Sequence, residues 1–491
     1  VAEKNKFLTV SLLTVLVYCA VSCTGLPFLM PNPPGGGTRK ADTAAAAAAS
    51  EPKKAVSVPA PAAGVDTIDF AAAFSADTGG TVIAPPAPPK QAREKTPVVS
   101  SPISELPMPG KMIRVALRRN VSKAELQTSE AVEVHSPSLS APARCTGRLI
   151  VEKKVAGYLT ITVNNGPPHE VALPCSLIAV NRSNLFSLGG ERYRGSIIVN
   201  GKEVFSLINL ISVENYLRGV LPIEMGKRGM EEIEALKAQA VAARTYAYKR
   251  IACNKGQPYD ILSTTADQVY RGADVESSEC NYAINATGDL VLWWHDSLAE
   301  VYYHSTCGGR TASVSEVWGS SNRVYLCSKS DSAPDGQAYC SFAPAFSWEE
   351  SWDAAELSKI LRTSARQTLP DAHFGGNLRS VKVEERFGCG RVKLCRITGS
   401  EGSFECGGDK LRSVLRRKSA GGDILRSANF TVEKNGPQIF SVRGSGFGHG
   451  VGMCQMGAIG RARRGQNFEQ ILQAYFSPAQ IVRIQHTSPA Q

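Results

Sequence analysis

One carboxylate, Glu224, stands in Gly219-Val-Leu-Pro-Ile-Glu-Met225, just ahead of a helix-like run from Met230 to Ile251 that carries Lys237 and Arg244. A lone acid on a proline-stiffened turn at a strand-to-helix junction suits general acid/base work if its surroundings keep it protonated near neutral pH. At about 100° per residue, Lys237 and Arg244 fall within ~20° of one another, beside the arc of Ile233, Ala240 and Ile251. Cations bordering a buried face need an anion. That anion is either a structural carboxylate or a ligand, and Glu224 could likewise be a capping or salt-bridge acid.

Further candidates lie downstream. His304 and Cys307 form a His-x-x-Cys pair with Cys327 and Cys340 beyond it. Mixed His/Cys sets suit zinc, whereas an oxidising compartment favours disulfides, and the reading adopted is disulfides with no cofactor required. Cys389 and Cys395, flanking Gly390, are good disulfide candidates. Glycine alternates with other residues from Gly444 to Gly452 around His449. The spacing is wrong for a dinucleotide fingerprint, so it reads as close backbone approach to a ligand or strand, with His449 and Gln455 as groove-lining candidates. Cys454 has no evident paired base and is not read as a nucleophile.

The elements that must position these residues form an α+β pattern. Ile113–Leu117, Tyr158–Val163, Gly195–Val199 and Val204–Ile208 alternate like strands. Met230–Ile251 is the one main amphipathic helix, with shorter helical stretches at Ala354–Leu361 and Phe468–Tyr475. The expectation is strand-rich lobes around a groove. No internal repeat is visible.

The N-terminal part reads differently. Lys4 and Lys6 precede an uncharged apolar run from Phe7 to Ala20, and Cys23 follows small residues. This is the layout of an export signal over 1–23, with Cys23 as a lipid-attachment candidate, although a lipobox usually has Leu where Ala20 stands. Val1 reads as an alternative start codon or a truncation. Residues 24–109 are rich in Ala and Pro and cannot bury enough apolar surface to fold, so they read as a disordered tether. The expected place is the cell envelope, on a membrane through the lipid. A formal net charge of +11 points to an anionic polymer or surface, while the scattered basic residues argue against nucleic acid.

Five separated motifs now give a resemblance. Val213-Glu-Asn-Tyr-Leu-Arg-Gly-Val-Leu-Pro-Ile-Glu-Met225 and Glu234-Ala-Leu-Lys-Ala-Gln-Ala-Val-Ala-Ala-Arg-Thr-Tyr-Ala247 come first. Ser263-Thr-Thr-Ala-Asp-Gln-Val-Tyr270, Tyr303-His-Ser-Thr-Cys-Gly-Gly309 with Thr311, and Gly446-Phe-Gly-His-Gly-Val-Gly-Met-Cys-Gln-Met-Gly-Ala458 follow in order. Together they resemble the SpoIID/LytB family of bacterial cell-wall proteins over roughly Ile113 to Val482, within a domain expected at 110–485 whose core motifs occupy 205–320. The resemblance implies a peptidoglycan lytic transglycosylase that prefers peptide-stripped glycan strands. On the LytB side it implies a wall-binding enhancer of a partner amidase. The family's catalytic glutamate falls on Glu224 and its basic helix positions on Lys237 and Arg244. Gln268, Tyr270, His304, Thr311, His449 and Gln455 are the remaining expected substrate contacts. Some family members hold zinc near His304, so His304, Cys307, Cys327 and Cys340 are the candidate ligands. One departure stands beside the acid: the family often has Pro soon after Glu-Met, where this chain reads Gly226-Lys-Arg-Gly229.

Overall fold

The structure, a computed structural model, describes residues 112–418, 422–435 and 438–484. The expected export signal, Cys23 and the tether lie outside the described residues. No helix among those described is long and apolar enough to cross a membrane.

The architecture is mixed α+β, as the alternation implied. Met112–Val121 pairs antiparallel with Phe205–Ser212, which pairs with Ser196–Gly201, and the sheet continues through Cys175–Ala179, Lys123–His135 and Ala143–Val155 to Tyr158–Val163. One parallel contact, Val115 opposite Ile261 and Ala116 opposite Leu262, joins this sheet to the segment after the long helix. Alternate residues of these strands (Ile113, Val115, Leu149, Val151, Leu207) are buried in the larger of two hydrophobic cores, as period-two patterning requires.

Where the sheet ends, the helices begin. Ser212 caps the helix Val213–Arg218 by accepting the Asn215 N–H at 3.4 Å. Glu224 therefore lies on a short helix of its own, Leu221–Met225, with Pro222 in its first turn, rather than at a direct strand-to-helix junction. Gly226 ends that helix at φ 68°, ψ −175°, a conformation essentially confined to glycine. After a 3₁₀ turn at Met230–Glu232, the long helix runs Ile233–Cys253. It was expected to be amphipathic, and it is instead buried on most sides. It packs against helices Ser278–Ala286, Gln455–Arg463 and Phe468–Phe476 and strand Leu290–Trp294. Its alanines at 235, 238, 240, 242, 243 and 247, all fully buried, allow that close approach from several directions. Helices Ala354–Thr368 and Phe468–Phe476 are amphipathic, the former burying Leu357, Leu361 and Ala365 and starting from an Asp353 cap.

Helix Ala354–Thr368 belongs to a second core. Trp348, Trp352, Leu361, Val392, Ile397, Phe404, Leu411, Phe430, Phe440 and Val442 pack together apart from the first cluster. Its first strand, Ser347–Asp353, pairs with Ile439–Ser445 so that Ser347 lies opposite Ser445. The chain thus leaves the main body and returns to it at one place, the geometry of an inserted lobe.

Cys389 and Cys395 are not joined in a disulfide, and each is a buried thiol. The residue in register with Cys395 is Cys406, on the neighbouring strand. The disulfide expectation failed because spacing along the chain does not report cross-strand register.

Candidate active site

Glu224 is half-buried and has no cation within ion-pair distance among the described residues. Its carboxylate accepts two hydrogen bonds: the Val269 N–H at 3.2 Å on Oε1 and the Gln455 side-chain amide at 3.4 Å on Oε2. Burial pushes its pKa up to about 7, against the pull of those two donors. Near neutral pH the acid is therefore divided about evenly between its two forms.

Each neighbour comes from an element fixed elsewhere. The loop that offers Val269 is anchored through Asp267, which accepts the Leu262 N–H at 2.9 Å and the Tyr246 hydroxyl at 2.6 Å and pairs with Arg250 at 3.1 Å. Asp267 is thereby committed to structure and is not free as a second catalytic acid. Gln268 is buried behind Glu224, accepting from the Tyr216 hydroxyl at 3.0 Å and donating to the Tyr303 hydroxyl at 2.9 Å. Tyr303 stays neutral, its pKa raised first by burial and then by the Glu224 charge. Gln455 opens the helix Gln455–Arg463 directly after Met453–Cys454, which runs parallel to Tyr303–His304. Gly452 makes that pairing possible: at φ 74°, its missing Cβ would collide with the Tyr302 carbonyl.

The same two segments carry an aromatic patch. His449 lies 5.1 Å from Trp318, 6.3 Å from Tyr302 and 5.5 Å from His304 between ring centroids, and Tyr302 meets Trp318 at 4.8 Å with the rings tilted by 55°. Trp318 is 42% exposed. It sits on a short helix, Val314–Trp318, closed by a Ser313/Glu316 capping box. Burial depresses both imidazoles, His449 to about 4 and His304 well below its ordinary value, so both are neutral. The His304 Nδ1–H donates to the Val451 carbonyl at 3.2 Å, which leaves Nε2 as a buried acceptor without a partner. Arg391 reaches in from the inserted lobe and donates from Nε to the His449 carbonyl at 3.2 Å. Its Nη1 and Nη2 are buried without partners.

Several expected contacts lie elsewhere. Arg244 is fully buried, bidentate to Glu214 at 2.7 and 2.8 Å, and also donates to the Ile284 and Leu290 carbonyls. It holds helices together and presents nothing to a ligand, which corrects the anion-binding expectation. Lys237 pairs with Glu234 at 2.7 Å, whose other oxygen takes the Phe468 N–H. Tyr270 is buried, donating to Asn209 at 2.9 Å, and Thr311 is buried, accepting the Lys329 N–H at 2.9 Å. Both are framework. The loop beside the acid is held by Arg228, which donates to the Met225 carbonyl at 2.7 Å and pairs with Glu232.

The candidate zinc ligands are also redistributed. Cys307 and Cys340 come together, joined by Cys454 and Asp331, all buried, with ligand atoms within 4.8 Å of one another. His304 and Cys327 are outside this group. Sequence reasoning missed Val269, Tyr303, Trp318 and Asp331 as site residues. Val269 and Tyr303 lie inside the resemblance motifs and Trp318 follows a Ser-x-x-Glu cap, whereas Asp331 had no local signal.

Comparison with known proteins places the chain among relatives. The profile of the stage II sporulation protein family (SpoIID) matches residues 201–294, which include Glu224 and the long helix. An uncharacterized protein of Brachyspira hyodysenteriae is 30% identical over 299 residues, covering 60% of this chain and 74% of that one. This chain belongs to the SpoIID/LytB family. The amidase enhancer of Bacillus subtilis is 30% identical over 60% of this chain and 44% of its own length. The stage II sporulation protein D of Bacillus subtilis is 29% identical over 55% of this chain and 74% of its own. A domain of unknown function (DUF8618) matches residues 337–452, which contain the inserted lobe.

Proposed function

We propose that this SpoIID/LytB protein is a lytic transglycosylase that cleaves peptidoglycan glycan strands, with Glu224 as its general acid and then base. The observation that carries the reading is a half-buried carboxyl without a cation among the described residues, held by the Val269 N–H and the Gln455 amide, with its pKa raised by burial to about 7. Protonated Glu224 gives its proton to the glycosidic oxygen as the bond to the muramyl anomeric carbon breaks. The carboxylate then takes the proton of the muramyl 6-hydroxyl, whose oxygen bonds to that carbon and leaves a 1,6-anhydro end. Ordinary glycosidases flank the sugar with two carboxylates. This internal attack needs one, which fits a site where Asp267 is consumed by Tyr246, Arg250 and the Leu262 N–H.

Trp318, Tyr302 and His449 would carry a sugar ring on their faces, in the groove expected between strand-rich lobes. A peptide-stripped muramyl residue bears a lactyl carboxylate that needs a cation. Lys237 and Arg244 are engaged elsewhere, whereas Arg391 keeps two unpartnered Nη groups beside His449. A buried guanidinium without acceptors is costly until an anion meets it. Arg391, itself 3% exposed, is the counterpart for a stripped strand only where substrate binding uncovers these groups.

A second reading, a wall-binding protein that stimulates a partner amidase, draws support from the amidase enhancer relative. Product analysis separates the two. Anhydro-muramyl ends made by the purified chain alone support the first, while strand binding with faster amidase turnover and no cleavage supports the second. The envelope location and lipid on Cys23 belong to either reading.

A further inference from the structure

Three buried thiols, Cys307, Cys340 and Cys454, gather with the Asp331 carboxylate in one cluster. The sulfurs of Cys307 and Cys340 are 3.5 Å apart. A disulfide needs about 2.05 Å. Two thiolates on one tetrahedral zinc, each at about 2.3 Å, stand about 3.8 Å apart. Cys454 completes three sulfurs, and the carboxylate of Asp331 adds a fourth donor 3.2 Å from the Cys307 sulfur.

Backbone N–H groups turn towards these sulfurs as they would towards thiolates. Cys307 N–H points at the Cys454 sulfur at 3.2 Å, Gly309 N–H at Cys307 at 3.3 Å, and Gly457 N–H at Cys454 at 3.1 Å. Cys454 is moreover the N-cap of a helix, where the dipole favours an anion. Outside the set, Arg461 holds Asp331 Oδ1 at 2.9 Å and the Tyr475 hydroxyl donates to the same carboxylate at 2.9 Å. Such outer partners orient a ligating carboxylate. All four side chains are buried, so a reactive thiol site is excluded by access.

We propose that Cys307, Cys340, Cys454 and Asp331 hold one zinc-type divalent cation that clamps both roots of the inserted lobe to the strand beside the catalytic acid. Cys340 precedes the lobe's first strand and Cys454 follows its last, while Cys307 belongs to the Tyr303–Gly309 segment. Cys454 is also next to Gln455, the residue that donates to Glu224. With four protein ligands the site is closed and structural, and it is independent of the reaction assigned to Glu224.

The test uses the full chain purified without chelator. About one zinc per chain, replaceable by cobalt(II) with a thiolate-to-cobalt charge-transfer band, supports the site. Cys340→Ser and Cys454→Ser should lose metal, whereas Cys327→Ser and His304→Gln should retain it. Should the cysteine variants not fold, Arg461→Met, outside the ligand set, should weaken zinc by about 10–100-fold. Wild type that takes up no cobalt band, a Cys307–Cys340 disulfide found by mass spectrometry, or full metal retention in Cys340→Ser would each overturn the proposal.

Discussion

Replacing Glu224 by Gln should stabilise the protein, and only on the alkaline side. The folded carboxyl titrates at about 7, against 4.5 for the free group. Below pH 4.5 both folded and unfolded chains carry the proton and Glu224 costs nothing. Between 4.5 and 7 the unfolded chain releases the proton while the folded chain keeps it, so stability falls as pH rises. Above 7 the full penalty is present. A shift of about 2.5 units corresponds to at most about 3.4 kcal/mol. Partial exposure of the carboxyl reduces this to about 1–2 kcal/mol. Glutamine stays neutral, and its oxygen can still accept the Val269 N–H once the Gln455 amide turns over. Melting curves of wild type and Glu224→Gln from pH 4.5 to 8.5 should coincide at the acid end. They should separate by about 2–5 °C in favour of the variant at pH 8. Every other group titrates in both proteins, so the difference isolates this one. A difference that does not depend on pH, or a wild type more stable at pH 8, would refute the claim that burial sets the state of this acid.

Other perturbations reach the rest of the site. On glycan strands, kcat/KM should fall about tenfold per pH unit above about 7, and Gln455→Leu should move that limb upward, because it removes a donor that lowers the Glu224 pKa. Arg244→Met should destabilise by about 1–3 kcal/mol, measured by urea unfolding, because it removes the bidentate pair with part-exposed Glu214 and the donors to the Ile284 and Leu290 carbonyls. Its residual activity should keep the same preference between stripped and peptide-bearing strands. Arg391→Gln should erode that preference instead, and equal losses on both substrates would remove Arg391 from recognition. Trp318→Ala should raise KM by about 2–12-fold, corresponding to a lost stacking contribution of about 0.5–1.5 kcal/mol, with kcat little changed.

The acid was legible because its information is local. Pro222 starts its helix, Gly226 ends it, and the run to Ile251 nearly coincides with the helix observed at Ile233–Cys253. The role of Arg244 was not, because periodicity assigns a side chain to a face without naming its partner. Glu214 lies on another helix, and the carbonyls of Ile284 and Leu290 arrive from segments some forty residues on. The same limit hid the thiol cluster, whose Cys307 and Cys454 are 147 residues apart. The inserted lobe was invisible for a related reason. Its strands alternate like those of the main sheet, and only the pairing of Ser347 with Ser445 shows that the chain leaves and returns at one point.

The central claim is that Glu224 supplies and then removes the proton that makes an anhydro end. The direct measurement is mass-spectrometric analysis of peptide-stripped glycan strands incubated with wild type or with Glu224→Gln, with strand binding measured alongside. The account predicts 1,6-anhydro-muramyl products from wild type and none from the variant, with binding retained by both. Undiminished anhydro product from Glu224→Gln would contradict it, as would a wild type that binds strands and never cuts them.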